Sequence, residues 1–384
     1  MPRITMIQAF PFAAQLMRSA SPGSLFTSLR AALASDGLTA RLWLADYRQV
    51  RLRSVDDTDG SSEQVSIADG AIGRVYASQR HAVVIARHGS IAYLPLHARG
   101  ERLGVLQVTA NSALGAEELA QLDDIATALA SELIAALRMT DHFERPRRNK
   151  ALTVAAEMQW ALLPPTAYHD DRVSLAGLVE PAYSVAGDAF DWSVARETVT
   201  IAVFDGVARG VTAALATALC VNALRNARRA PVPLADQVAL ADQALYAHFG
   251  GKSHISTLVV QLDLRSGSAV AIDAGSPQLL VVRDRQVNTV VLEPQLPLGM
   301  FEETHYREQP LTFVPGDRLI IVSDGVHAAG EPIAFGVTAL REAIDSTVES
   351  SPPETVRQLI AALHVHHGDE LEDDAVVLCL DWDA

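Results

Sequence analysis

Hydrophobic positions along this chain fall into two rhythms. Residues 12–34 carry apolar side chains at helical spacing, which predicts a helix. Five short apolar runs follow: ARLWLAD (40–46), VRLRSV (50–55), HAVVIA (81–86), IAYLPLHA (91–98) and RLGVLQVTA (102–110). Their length and β-branched content predict strands, the last two joined as a hairpin through Arg99-Gly100-Glu101. ADGAIGRVYASQ (68–79) predicts a short helix after a turn. From Gly115 the helical rhythm returns. Leu119, Leu122, Ile125, Leu129, Leu133 and Leu137 recur every three or four residues, as on the apolar stripe of an amphipathic helix.

That rhythm stops at HFERPRRNK, the most basic and least apolar stretch, where Pro146 is incompatible with a helix interior. A second helical run, ALTVAAEMQWALLPP, starts at Ala151 and ends at Pro164-Pro165. Strand-like and helix-like segments then alternate to the end. The pattern divides the chain into a first domain over 1–140, a helical linker over 141–163 and a second domain over 164–384. The 384 residues suit two domains at about 100–200 residues each. The leucine stripe and the linker helix suggest a route between the domains; the stripe by itself reads more often as core of its own domain, with packing in a homodimer as the alternative.

Composition narrows the function. Nearly half of the residues are hydrophobic and a fifth are charged, which suits folded domains with sizeable cores. A net charge of −15 argues against non-specific nucleic-acid binding and against an anionic membrane patch, because both need clustered Lys and Arg. Cys220 and Cys379 lie in apolar contexts, as expected of small buried side chains in a reducing compartment. No uncharged apolar run approaches the ~20 residues that span a bilayer. The expected location is the cytoplasm, without nucleic-acid or membrane partners.

Candidate chemistry concentrates in the second half. RLIIVSDGV (318–326) and TIAVFDGVARG (from Thr200) each run an apolar strand into Asp-Gly. Asp188 and Asp191 lie in VAGDAFDW, and Asp373-Asp374 precede AVVLCLDW. Carboxylates gathered at strand ends are costly without cations, since like charges repel and burial adds to the cost. Mg²⁺ or Mn²⁺ removes that cost and prefers oxygen ligands, and two such ions can activate a water for attack on phosphorus. Asp317 in PGDRL and Asp263 in QLDLRSG read as turn acids. His364, His366 and His367 read as a solvated helix end rather than a zinc site. The sequence has no G-x-S-x-G, H-E-x-x-H, Walker A or G-x-G-x-x-G motif.

These segments, in this order, resemble the bacterial PP2C-like serine phosphatases of the SpoIIE and RsbU type. AAEMQWALLPP is similar to that family's lead helix, and VAGDAFDW to its Gly-Gly-Asp-x-x-Asp motif. FDGVARGVTAALATAL resembles the Asp, Gly-His-Gly-like turn and Ala-Ala-Leu helix. STLVVQLDLRSGSAVAIDAGSPQLLVV resembles the hairpin leading to Asn-Ala-Gly-His-Pro. PLGM, PGDRLIIVSDGVHAAG and EDDAVVLCL resemble the last three motifs. The sequence departs from the pattern at Ala186, Ala208-Arg209, Asp273, Ser276 and Val376. The resemblance implies an α+β protein whose C-terminal domain is a PP2C-like α-β-β-α sandwich. It puts metal-ligand roles for two Mn²⁺ or Mg²⁺ ions on Asp188, Asp205, Asp324 and Asp373, with Asp205 shared and the Gly206 carbonyl coordinating. Asp191 also matches a family position. The first domain resembles a GAF-like α/β sensor, with no Cys for haem or bilin attachment and with room for a small-ligand or dimerisation role.

The implied activity is metal-dependent hydrolysis of phosphoserine or phosphothreonine by direct hydroxide attack, without a phospho-enzyme. The implied partner is a phosphorylated anti-sigma-factor antagonist. Two other readings use the same residues: a non-catalytic GAF and pseudophosphatase module that binds a partner protein, and a hydrolase of small phosphate esters or nucleotides.

Overall fold

The computed structural model describes residues 9–55, 63–87, 89–181, 187–207, 210–327, 337–367, 371 and 373–383. The chain forms two compact units, Met1–Ala151 and Leu152–Ala384.

In the first unit, helices α1 (Ala9–Ser19) and α2 (Leu25–Ser35) replace the single helix expected over 12–34. Pro22 opens a short 3₁₀ turn that separates them, since proline fits a first helical turn but breaks a helix interior. Strands β1 (Thr39–Ala45), β2 (Arg51–Val55) and β3 (Gln64–Ser66) precede α3 (Gly70–Ser78). Strands β4 (Ala82–Ala86), β5 (Gly89–Ala98) and β6 (Glu101–Ala110) then lead into α4 (Ala116–Ala136). The six strands make one sheet in the order β3-β2-β1-β6-β5-β4, antiparallel throughout. The β5–β6 hairpin turns at Arg99 (φ 51°) and Gly100 (φ 92°), the paired positive φ of a tight hairpin. One core joins the sheet to α1, α2 and α4; a smaller cluster on Trp43, Leu52, Ile72 and Tyr76 includes α3. This sheet-and-helix unit is compatible with a GAF-like domain.

The leucine stripe belongs to that first core. Leu122, Ile125, Leu129 and Leu133 are buried within the unit. This is the intradomain reading of the stripe; the alternative, a dimer seam, falls because the same side chains are already consumed by packing within the unit. The basic stretch also differs from a free linker. Arg147 Nε donates to the Ala45 carbonyl (3.1 Å), Arg53 Nη1 donates to the Arg148 carbonyl (2.8 Å), and Asn149 Nδ2 donates to Asp46 Oδ2 (2.5 Å). Residues 145–149 are thus strapped to β1 and β2, and only a few residues around Ala151 connect the units.

The second unit opens with α5 (Val154–Leu162), capped by Thr153, whose Oγ1 accepts from Ala156 N (3.1 Å). Strands β7 (Ala167–His169), β8 (Val173–Glu180), β9 (Ala189–Val194) and β10 (Thr198–Gly206) lead into helices α6 (Gly210–Arg228) and α7 (Leu234–Phe249). Strands β11 (Ile255–Asp263), β12 (Ser268–Ala274), β13 (Gln278–Arg283), β14 (Gln286–Thr289), β15 (Gln309–Thr312) and β16 (Arg318–Val322) follow. The chain ends with α8 (Asp324–His327), α9 (Val337–Ser346), α10 (Pro352–His367) and β17 (Ala375–Trp382). Two antiparallel sheets result, β15-β12-β11-β10-β9 and β14-β13-β16-β17-β8-β7.

The sheets pack on each other, and α6–α7 and α9–α10 cover their outer faces. This is the α-β-β-α sandwich that the resemblance implied. Alternation along a strand shows why its apolar runs are unbroken. Leu319 and Ile321 of β16 enter the core between the sheets, while Ile320 and Val322 face the α9–α10 layer. A strand buried on both faces needs no polar positions. Cys220 and Cys379 are both free thiols and buried. Among the described residues no helix is long and apolar enough to cross a membrane.

Asp242 of α7 is fully buried. Its Oδ1 accepts from Gly299 N (2.8 Å) and Tyr306 Oη (3.1 Å), while Oδ2 has no hydrogen-bond partner. Burial raises its pKa, with those two hydrogen bonds acting against the shift. A raised folded-state value means that the contribution of Asp242 to stability is largest at low pH and is lost as pH rises through that value. Asp242→Asn keeps the acceptor and removes the buried charge, so it is expected to melt at or above the parent at pH 7. The gap should narrow on acidification. Asp242→Ala leaves two donors without an acceptor and should cost about 2–3 kcal/mol. Thermal denaturation at two pH values checks both.

Candidate active site

Strand β10 ends at Asp205-Gly206, and β16 runs through Ser323 into Asp324-Gly325 at the start of α8. Neither glycine adopts a positive φ, so tight-turn geometry is not what requires them. Close approach is. A Cβ at Gly206 would stand 2.9 Å from Gly187 Cα and 3.0 Å from its carbonyl oxygen. A Cβ at Gly325 would fall 1.8 Å from the Asp374 carbonyl oxygen. Each Asp-Gly therefore brings its acid against another acid-bearing backbone: Gly187-Asp188 in one case, Asp373-Asp374 in the other. Because β9 runs antiparallel to β10 and β17 to β16, all four segments meet at the same end of the two sheets.

Of the acids that meet at this end of the sheets Asp188 is the most enclosed, at 3% exposure. Its Oδ1 accepts from Gly206 N (3.3 Å), and its Oδ2 is buried without a hydrogen-bond partner. Burial holds its pKa well above the usual carboxylate range, and the charges of Asp205 and Asp374 add to this. Backbone contacts fix its position. Asp374 Oδ2 accepts from Gly187 N (2.8 Å) and Asp188 N (3.3 Å). Thr217 Oγ1 donates to the Gly187 carbonyl (2.6 Å), and Gln159 Nε2 donates to the Asp188 carbonyl (2.7 Å).

Asp205 is pushed up to about 6, first by burial and then by the charges of Asp324 and Asp373, while a hydrogen bond from the Ser276 hydroxyl to its Oδ2 acts the other way. Asp324 is half-buried and Asp373 is exposed. Asp373 Oδ1 accepts from Asp374 N (2.9 Å), so this pair divides its work. Asp373 faces out toward Asp205, and Asp374 turns in to hold the Gly187-Asp188 backbone.

The structure thus brings Asp188, Asp205, Gly206, Asp324 and Asp373 together and directs Asp191 elsewhere. Asp191 takes a fork from Arg225 (2.8 Å and 3.1 Å) and a further bond from Arg228 (3.1 Å), which neutralise it beside α6. Asp317 pairs with Arg283 (2.6 Å and 2.7 Å), and Asp263 caps its own turn through Arg265 N and Ser266 N (both 2.9 Å). His364 Nε2 lies 3.7 Å from Glu180 Oε2. Ala186, Ala208 and Arg209, three of the departures from the family pattern, lie outside the described residues. The pattern of acids did not single out Asp374, Ser276 or Gln159 for these roles. The Glu-Asp-Asp run held a signal for the first of them, and AAEMQWALLPP, read as a lead helix, held one for Gln159.

Hard divalent cations fit this donor set. The group is all oxygen, its buried carboxylates Asp188 and Asp205 are held above their ordinary pKa values by burial and then by neighbouring acid charges, and Oδ2 of Asp188 has no hydrogen-bond partner. Among the described residues no three Asp, Glu, His or Cys side chains stand close enough together to hold a metal ion as they are, so the acids form an open group.

Residues 195–383 match the family model described as stage II sporulation protein E (SpoIIE). The phosphoserine phosphatase RsbU of Bacillus subtilis (strain 168) is 20% identical over 231 residues, covering 60% of this chain and 69% of that protein. The SiaA PP2C domain of Pseudomonas aeruginosa superposes with a TM-score of 0.51 at 22% identity, covering 60% of this chain and 94% of that one. The PP2C phosphatase domain of SpoIIE from Bacillus subtilis, with a fragment of its regulatory domain, gives 0.50 at 19% identity over 55% of this chain and 64% of that one. Residues 195–383, the greater part of the C-terminal unit, thus carry a SpoIIE-type PP2C phosphatase domain.

Proposed function

We propose that this domain is a metal-dependent protein serine/threonine phosphatase that uses two Mn²⁺ or Mg²⁺ ions held by Asp188, Asp205, Asp324, Asp373 and the Gly206 carbonyl. The observation that carries the reading is the meeting of these acids at one end of both sheets, with the charges of Asp324 and Asp373 acting on Asp205 and with Oδ2 of Asp188 lacking a hydrogen-bond partner. Divalent cations bound there would supply positive charge to the phosphoryl oxygens and lower the pKa of a water. The remaining work falls to the chain. Asp205 presents its carboxylate in an orientation set by Ser276. Asp374 and Thr217 fix the Gly187-Asp188 backbone. Gly206 and Gly187 let the two backbones close without side chains between them.

The substrate we infer is a phosphorylated anti-sigma-factor antagonist, as the likeness to a phosphoserine phosphatase supports. Comparing turnover of a phosphoserine protein with that of free nucleotides tests this against the small-ester reading. Loss of metal-dependent turnover on both would leave the partner-binding module in its place.

Regulation by the first unit is proposed to act through the segment from α4 to α5. Gln159 supports this route, because it lies on α5, is buried, and holds the carbonyl of Asp188. Gln159→Leu keeps the bulk and removes the donor. It is expected to lower kcat by about ten- to hundredfold, the scale of a small misplacement of catalytic groups, with the melting temperature nearly unchanged. Steady-state kinetics beside a thermal melt would show it; parent-like kcat would remove Gln159 from the route. A small ligand for the first unit belongs to the same proposal, and a homodimer would have to use a surface other than the buried leucine stripe.

A further inference from the structure

The rim of the acid group is apolar on two sides. Val207, next to Gly206, is 60% exposed, and on the first turns of α6 Val211 and Leu215 are 46% and 50% exposed. The opposite face of the same helix is packed through Ala213, Ala216 and Cys220. Thr217, bonded to the Gly187 carbonyl, ties the helix to the site. No charged residue occurs in α6 before Arg225, on a chain of net charge −15. On the other side, Ile255 pairs with Gly206, and Leu298 bridges Ile255. Leu298 therefore lies two strand spacings, roughly 10 Å, from Gly206. Its loop exposes Leu296 and Phe301.

Single exposed apolar residues are ordinary on protein surfaces. Five of them around one catalytic mouth are a different matter, because a protein substrate that delivers its phosphate to Asp205 must cover whatever surrounds it. Size argues against a permanent partner. Stable interfaces take about 20–30 residues a side, far more than this ridge and loop offer. A small apolar contact suits a substrate that must bind, react and leave.

We infer that Val207, Val211 and Leu215, with Leu296 and Phe301 across the mouth, form the docking surface for a folded phosphoprotein substrate with an apolar patch beside its phosphoserine. This rests on the phosphatase reading. It separates recognition of the protein from recognition of the phosphate, which stays with the acid group. Small phosphate esters and short phosphopeptides reach the acids without touching the ridge.

The test uses the full chain with Mn²⁺ and three substrates: p-nitrophenyl phosphate, the serine-phosphorylated form of an anti-sigma-factor antagonist from the same genome, and a short phosphopeptide copied from it. Val211→Glu and Leu215→Glu place acids on the exposed face near a helix N-terminus, where they are tolerated. Leu215→Met serves as the conservative variant. Each Glu variant should raise KM for the phosphoprotein by about tenfold, the scale of losing one buried aliphatic contact. Hydrolysis of the aryl phosphate and the peptide should stay within about twofold, and Leu215→Met should behave as the parent. Parent-like turnover of the phosphoprotein by both Glu variants would overturn the inference. So would equal loss on all three substrates, which would place the residues in support of the site. Altered sedimentation with unchanged phosphoprotein turnover would assign the ridge to a second copy and also overturn it. If the parent chain hydrolyses none of the three, the phosphatase reading fails and takes the docking surface with it.

Discussion

Asp205→Asn is expected to make the metal-free protein more stable and the enzyme nearly inactive. Both effects follow from one crowded place. Asp205 is pushed up to about 6 by burial and by the charges of Asp324 and Asp373. Its ionised form is therefore a standing cost to the fold when no cation is present. An amide keeps the shape and can still accept from the Ser276 hydroxyl. The melting temperature without metal should rise by a few degrees, since about 1 kcal/mol moves a domain of this size by about 2–4 °C. The same amide is a poor ligand for a hard cation. Activity should fall by about a thousandfold, equivalent to about 4 kcal/mol, and the gain in melting temperature on adding Mn²⁺ should shrink. Calorimetry with and without Mn²⁺, beside aryl phosphate hydrolysis, reads all three. A variant that melts lower and keeps its metal response would show that Asp205 is a structural acid.

Gly325→Ala should be the most damaging single methyl in the domain. Its Cβ would sit 1.8 Å from the Asp374 carbonyl oxygen, and the atom it meets is backbone, which cannot swing aside. Either β17 or α8 must shift. Overpacking of this kind costs about 3 kcal/mol, and the shift would move Asp374 off the Gly187-Asp188 backbone. Stability and metal response should fall together, unlike the opposed changes expected for Asp205→Asn. Gly210→Ala is a useful contrast. There the added methyl meets nothing within 4 Å, and only the φ of +64° resists it. Urea denaturation of the two variants should separate a steric clash from the smaller strain of a left-handed residue.

Much of the sandwich was legible because its strands are buried on both faces. TIAVF and RLIIV read as unbroken apolar runs, and each ends where its acid must stand. The helical stripe from Leu119 to Leu137 was equally plain, but a stripe says only that one face is covered. What covers it is decided by α1, α2 and the sheet, which the spacing cannot show. The division between Asp373 and Asp374 was hidden for a related reason. The two are neighbours of the same type, and only the register of β17 against β8, with Ala375 opposite Glu180, turns one outward and the other inward. Asp191 matched a family position, but what occupies it was hidden because its cations, Arg225 and Arg228, arrive from α6, 34 and 37 residues later. The Asp-Gly pairs marked the strand ends, but the groups that press against their glycines are Gly187 and Asp374, which only tertiary contact reveals. Proline at 22 did announce the break between α1 and α2, and the apolar rhythm across it obscured the signal.

The most direct test of the metal-dependent acid site is the release of p-nitrophenol from p-nitrophenyl phosphate by the full chain, measured with Mn²⁺ and with EDTA, while the melting temperature is followed in the same samples. Turnover that requires Mn²⁺, stops with EDTA and accompanies a rise in melting temperature is the predicted result, because the cation relieves the repulsion among Asp188, Asp205, Asp324 and Asp373. Turnover that survives EDTA, or no turnover with a melting temperature indifferent to Mn²⁺, would contradict it.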